Sequence, residues 1–391
     1  MKLPWLKTAL DQDGPYVSVY LDTSRNHPQA AAELSTRWEQ MRHQLAADGA
    51  PEALLERMEE TVLEPPRIGG RHGRALLAAG DEIVLNRVLP VPPLSQTAHY
   101  GEFPQLLPLV QLTPQAVSQL LVEVDRAGAD LHLRSAENPS IPRTENGLGE
   151  DSTVEGGHDE LTKSKSGGGS SPHGWRTSNF EARVEDSWER NAEAVAATVN
   201  RIVTEHQPDM VLVTGDVRAL GLLEAELGQE VRQRLHQVPG GTRGMSMERE
   251  SFREELARVT QEFIDARLRD LSDRFHESQQ RGAESVSGAD ETAQVLERGQ
   301  VEELLFVIGR EPASIESLVR QAIATDSGVS ALPAEAASIT EGVGALLRWR
   351  DDATPSTSLS SMSGDARRED AVNPERNEVS PHAAEEAKLR R

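Results

Sequence analysis

Short apolar runs with the period or the continuity of buried strands recur along this chain, and helical stretches separate them. Pro15–Leu21 alternates with the two-residue period of a strand, and Ala75–Gly80 is a continuous apolar run with a return partner over Asp81–Leu89. Ala116–Asp125, the turn Arg126–Ala129 and Asp130–Arg134 form an antiparallel pair. Met210–Gly215, Leu304–Val307 and Gly342–Trp349 are further strands, with a short one inside Gly328–Ser338. Between them, Pro28–Ala46, Pro51–Val62, Phe180–Glu205, Glu248–Gln280, Gly288–Arg298 and Glu316–Thr325 carry helical spacing. Such a pattern buries its apolar faces as sheets covered by helices, so the predicted fold class is α/β or α+β.

A chain of 391 residues is too long for one ordinary core. The strand sets group into a first domain over 1–112, a second over 113–243 and a third over 244–350. Residues 351–391 are rich in Ser, Pro and charge, which predicts a disordered acidic tail. Within the second domain, 138–179 is rich in Gly, Ser, Thr and charge and has no apolar period, so a long flexible loop is expected there.

A formal charge of -23 opposes indiscriminate nucleic-acid binding, yet it leaves room for a local basic tip on an acidic body. With no cysteine, disulfides and thiolate metal sites are excluded. The first seven residues lack the apolar core of a signal peptide, and no apolar run reaches the roughly 20 residues that cross a bilayer. The expectation is a cytoplasmic protein without a membrane partner.

Few residues are spaced for bond-making chemistry. His72, His99, His132, His158 and His173 form no i, i+4 pair, so no metal site is expected, and no cofactor motif is present. Asp125 and Asp130 flank a hairpin turn, where they could hold Mg²⁺ or stand as solvated acids. Asp216, after the strand Met210–Gly215, either caps a helix or borders an anion site. Arg67, Arg71, His72 and Arg74, interleaved with glycines, either meet RNA phosphate or form a solvated turn before a strand.

Pro172–Asn191 is the most distinctive stretch. Phe180, Val184, Trp188 and Asn191 fall on one helical face, after a Gly- and Ser-rich run ending at Ser171, with Thr177, Ser178 or Asn179 as the cap. The stretch resembles the catalytic-loop region of the archaeal and eukaryotic release factors. There a Gly-Gly-Gln tip is followed at a short fixed distance by a Phe that opens a long helix. His173-Gly174-Trp175 takes the place of the tip, Phe180 sits at the matching distance, and Arg183 and Asn191 fall near the family's basic and Asn positions. Gly288–Leu305, with Asp290, Thr292, Val301, Glu302, Leu304 and Leu305, looks like the third domain of release factors and Pelota. The resemblance covers about Thr113–Trp349 and is nearest to the family's bacterial members, including the hibernation factor Balon and its actinobacterial relatives.

This resemblance implies three domains, with a ribonuclease-H-like mixed sheet in the second and an α/β/α third. It implies the 70S ribosome as partner, at the ribosomal RNA of the A site, with elongation factor Tu as a further candidate partner, and no DNA. In the family the Gln amide positions the water that cleaves peptidyl-tRNA, and an indole at Trp175 has no acceptor for that task. No catalytic residue is therefore assigned, and the expected role is A-site occupancy in hibernation or stress. The alternative is a peptidyl-tRNA hydrolase or ribosome-rescue factor using a different tip group. The RNA contacts expected on the arm are Lys163, Lys165, His173, Arg176 and Arg183, with Gly174 for close approach and Trp175 stacking on a base or plugging its own domain.

Overall fold

The computed structural model describes residues 2–25, 27–64, 72–134, 150–155, 174–281, 284–335 and 339–355, the side chains of 150 and 174–186 excepted. The expected tail beyond 355 lies outside these residues. The fold is of the mixed α/β, α+β class, with three separate sheets. The chain forms two compact units, residues 12–266 and residues 1–11 with 267–391.

Helix α1 (Pro4–Leu10) belongs to the second of these units, where Lys7 pairs with Asp326 at 3.3 Å. The first sheet, in the other unit, is antiparallel: β1 (Tyr16–Asp22), β2 (Gly73–Ala79), β3 (Glu82–Leu89) and β4 (Thr97–Gly101), in the order β3-β2-β1-β4. The alternation in β1 sends Val17, Val19 and Leu21 into one core. There they meet Leu34, Trp38 and Leu45 of α2 (Ala30–Ala47) and Leu54, Leu55, Met58 and Val62 of α3 (Glu52–Leu63). The intervening Ser18 points the other way and accepts a bond from the Gln105 amide at 3.0 Å.

After a short α4 (Leu107–Val110) comes the second sheet. It comprises β5 (Gln119–Val124), β6 (Gly128–Arg134), β7 (Glu150–Glu155), β8 (Met210–Gly215) and β9 (Leu235–Gln237), in the order β7-β6-β5-β8-β9. The β5–β8 and β8–β9 pairs are parallel and the others antiparallel, so the sheet is mixed as expected. Leu120, Val122, Val124, Val211 and Val213 face α5 (Gly174–His206), α6 (Val217–Glu226) and α7 (Gln229–Arg232). On the opposite face Gln119 donates to Thr260 of α8 (Glu250–Gln280) at 3.1 Å, and His236 meets Phe263 edge-on at 5.7 Å.

Two features differ from the sequence expectation. Strand β7 lies inside the stretch read as loop. Its acidic sequence is a poor strand former, but β6 offers an open row of backbone groups, and pairing from Gly128↔Glu155 to Leu133↔Glu150 satisfies them. Helix α5 begins at Gly174 rather than Phe180. Helix propagation costs little once an anchored turn exists, and between Trp175 and Trp188 there is no Gly or Pro to stop it.

The third sheet holds β10 (Ser285–Ser287), β11 (Val301–Val307), β12 (Gly328–Leu332) and β13 (Val343–Leu347), in the order β10-β13-β11-β12, with only β11–β12 parallel. Helices α9 (Ala289–Glu297) and α10 (Ile315–Ala324) belong to the same unit, and Phe275 of α8 packs with Leu305, Val307, Leu332 and Leu346. Gly299, at φ +66°, ends the turn after α9, as a left-handed C-terminal residue should. Among the described residues, no helix is long and apolar enough to cross a membrane.

Candidate nucleic-acid interface

The paired ends of β5 and β8 build the best-defined polar site. Val124 pairs with Gly215, and a Cβ at Gly215 would stand 1.8 Å from the Val124 carbonyl oxygen. This close approach, at φ +135°, brings the β5–β6 turn beside the start of α6. Asp125 shapes the turn by accepting the amides of Ala127 and Gly128 at 2.8 and 2.9 Å. Asp216 caps α6 by accepting the amides of Arg218 and Ala219 at 3.0 and 3.1 Å, which settles its role in favour of the cap.

Arg126 extends from that turn and pairs with Asp216 at 3.1 Å. Its guanidinium lies 4.5 Å from the centre of the Trp188 ring, and that of Arg218 lies 5.2 Å from the same ring. One turn along α5, the Asn191 amide donates to the Arg126 carbonyl at 2.8 Å. Burial works to raise the Asp216 carboxyl, but the Ala219 and Arg218 amides and the Arg126 cation outweigh it and hold the group below its ordinary value.

The other flank of the strand ends is acidic. Arg243 reaches Asp125 at 3.1 Å, Asp130 at 3.2 Å and Glu155 at 2.8 Å. Burial lowers the Arg243 guanidinium, but these three carboxylates more than reverse it. Asp125 and Asp130 therefore face a guanidinium. Glu123 is buried and accepts the Gly244 amide at 2.8 Å; burial pushes its carboxyl up despite that bond. His132 pairs with Asp151 at 2.9 Å, and burial pushes the Arg134 guanidinium down to about 10 against the pull of Asp151 and Glu123. Among the described residues there is no group of three or more His, Cys, Asp or Glu that could hold a metal.

The sequence-derived RNA contacts are placed unevenly. Lys163, Lys165, His173, Arg67 and Arg71 lie outside the described residues. Gly174, Trp175, Arg176 and Arg183 are in α5, Gly174 as its first residue, and only their backbone is described. His72 and Arg74 are corrected: both are buried, at 2% and 5% exposure. Pairing of β2 with β1 draws them inside, where Ser24 bonds the His72 backbone and the Arg74 guanidinium donates to the carbonyls of Thr61 and Glu64 at the end of α3. Arg74 ties α3 to the sheet and His72 holds Ser24, instead of presenting donors to phosphate. The Arg126–Trp188–Arg218 stack was not foreseen. Its only sequence signal was Trp188 on the apolar face of α5, since sequence spacing does not reveal which cations will flank a ring.

Residues 118–281 match the family described as Bacterial archaeo-eukaryotic release factor family 2. The match runs from β5 to the end of α8, taking in the Pro172–Asn191 stretch and ending before the Gly288–Leu305 signature. The resemblance read from Pro172–Asn191 is thus borne out at the level of the family. An uncharacterized protein of Mycobacterium tuberculosis is 26% identical over 327 residues, 83% of each chain. Among solved structures, a ribosome-bound archaeal Pelota is 14% identical with TM-score 0.37, over 89% of this chain and 93% of that one. Dom34 of Saccharomyces cerevisiae, a translation termination-like factor, is 9% identical with TM-score 0.39, over 72% and 81%.

Proposed function

From the release-factor family region at residues 118–281, we propose that this protein is a ribosome-binding translation factor that occupies the A site without cleaving peptidyl-tRNA. It serves in ribosome hibernation or stress, in the cytoplasm, and elongation factor Tu is a candidate partner. In this reading the chain is organised as 1–112, 113–243 and 244–350 with an acidic tail, as release factors are.

One observation carries the non-hydrolytic part. No glutamine occurs anywhere between Gln119 and Gln207, so the arm has no glutamine side chain of the kind that the Gly-Gly-Gln tip uses to orient water. Trp175 stands at the matching position, and an indole donates one bond and accepts none. It can stack on an exposed base, while Arg176, Arg183, Lys163 and Lys165 neutralise phosphate. The acidic remainder restricts binding to a site that fits the whole chain.

Co-sedimentation with purified 70S ribosomes at physiological salt, with and without elongation factor Tu, tests the reading. Absence from the ribosomal fraction in both conditions rejects it. Release of labelled peptide from stalled complexes, lost on His173→Ala, would establish a hydrolase instead.

A further inference from the structure

We propose that Trp188, with the guanidinium groups of Arg126 and Arg218 against its ring, is the positioning residue that aims the leading segment of α5. Ser187, Trp188, Asn191, Ala192, Val195 and Val199 are buried positions of the helix. Residues 174–186 run ahead of these as unbroken helix. That segment is about 20 Å long, and a tilt of about 10° at its root moves its end by about 3.5 Å, the scale of a whole hydrogen bond. An anchor at Trp188 therefore acts on where the backbone of Gly174, Trp175 and Arg176 arrives.

The two cations come from different elements. Arg126 belongs to the turn leaving β5, and Arg218 belongs to the first turn of α6 leaving β8. Those strands are hydrogen-bonded neighbours in the middle of the sheet, so neither cation rides on a free loop. Arg126 is held further by Asp216 through its side chain and by Asn191 through its carbonyl. The Asn191 bond fixes the helix one turn beyond Trp188, which gives two points along the axis and so a direction. A planar guanidinium over an indole also restrains rotation of the ring, which an aliphatic contact does not. The consequence for the ribosome rests on the function proposed above; the direction of the helix does not.

The test uses the full chain, whose lack of native cysteine allows clean labelling. Spin labels on Ser178→Cys and Gln229→Cys report the distance from the leading segment to α7 by double electron–electron resonance. The expected distribution is narrow, and broadens about twofold in Arg126→Ala/Arg218→Ala, whose exposed substitutions leave the melting transition cooperative. Arg126→Lys/Arg218→Lys keeps both charges but not the planar stacking, and is expected to fall between the two. An equally narrow distribution in the alanine pair and in Trp188→Ala overturns the proposal, as does a broad one in the parent protein. Ribosome affinity is expected to fall about tenfold in the alanine pair, through lost preorganisation. If the distances behave as expected but no form of the protein sediments with ribosomes, the positioning role stands and only the ribosomal reading fails.

Discussion

Arg243 Nη2 lies 2.8 Å from Glu155 Oε1, joining the segment after β9 to the last residue of β7. The same guanidinium holds Asp125 and Asp130, so one side chain, 12% exposed, ties together the β5–β6 turn, β6 and the edge strand that leads into the arm. Arg243→Ala is expected to cost about 2 kcal/mol, since it leaves partly buried carboxylates uncompensated. Hydrogen exchange should accelerate most in β7. Arg243→Lys cannot span three acceptors in a fork and should recover less than half of the loss in a denaturant titration.

Glu123→Gln tests the buried carboxyl beneath this clamp. The folded-state value of Glu123 is raised, chiefly by burial. Its contribution is therefore favourable below the unfolded value of about 4.3 and is lost as pH rises through the folded value. The amide variant should melt higher than the parent at pH 7 and should lose that advantage on acidification. A variant that melts lower at pH 7 would show that the Gly244 bond needs the charge.

Asp216 behaves in the opposite sense. Its folded-state value is depressed, so the cap is fully effective above the unfolded value of about 3.9 and fades as pH falls through the lower folded one. Asp216→Ala should cost about 1 kcal/mol at pH 7 through the lost cap, read from thermal melts, and the gap from the parent should close below that window.

Gly215→Ala should be severe. Its Cβ would meet the Val124 carbonyl oxygen at 1.8 Å, and the φ of +135° suits glycine alone. A loss of about 2 kcal/mol or more is expected in a chemical denaturation series. A mild effect would mean that the β5 and β8 ends can separate without disturbing the sheet.

Much of the fold was legible because it follows from periodicity. Val17, Val19 and Leu21 alternate, and Leu54, Leu55, Met58 and Val62 keep helical spacing; each set packs as its spacing requires. Asp216 was readable as a cap because a strand, a glycine and a short acid in sequence leave few other roles. Strand β7 was not legible, since Glu150–Glu155 has no apolar period and exists through its pairing with β6. His72 and Arg74 misled because basic residues among glycines resemble a solvated turn, and only the register of β1 with β2 reveals that they point inward. The Arg126–Trp188–Arg218 stack joins residues far apart in sequence, and no local pattern encodes it.

The arm residues should divide by kind of contact. Trp175→Ala is expected to weaken ribosome binding by about 1–3 kcal/mol if the ring stacks on a base. Replacing Lys163, Lys165 and Arg176 with alanine should lower the slope of log affinity against log salt by about 2, for three lost contacts at roughly 0.7 each. Equal slopes for parent and triple variant would mean that these cations do not touch phosphate.

Quantitative co-sedimentation with 70S ribosomes, followed by a peptide-release assay on the pelleted complex loaded with peptidyl-tRNA, measures occupancy and cleavage in one preparation. The expected result is saturable binding at physiological salt with the peptide left on its transfer RNA, and no gain of release over ribosomes alone. Protein left in the supernatant, or peptide freed in step with occupancy, would contradict a factor that fills the A site without cutting.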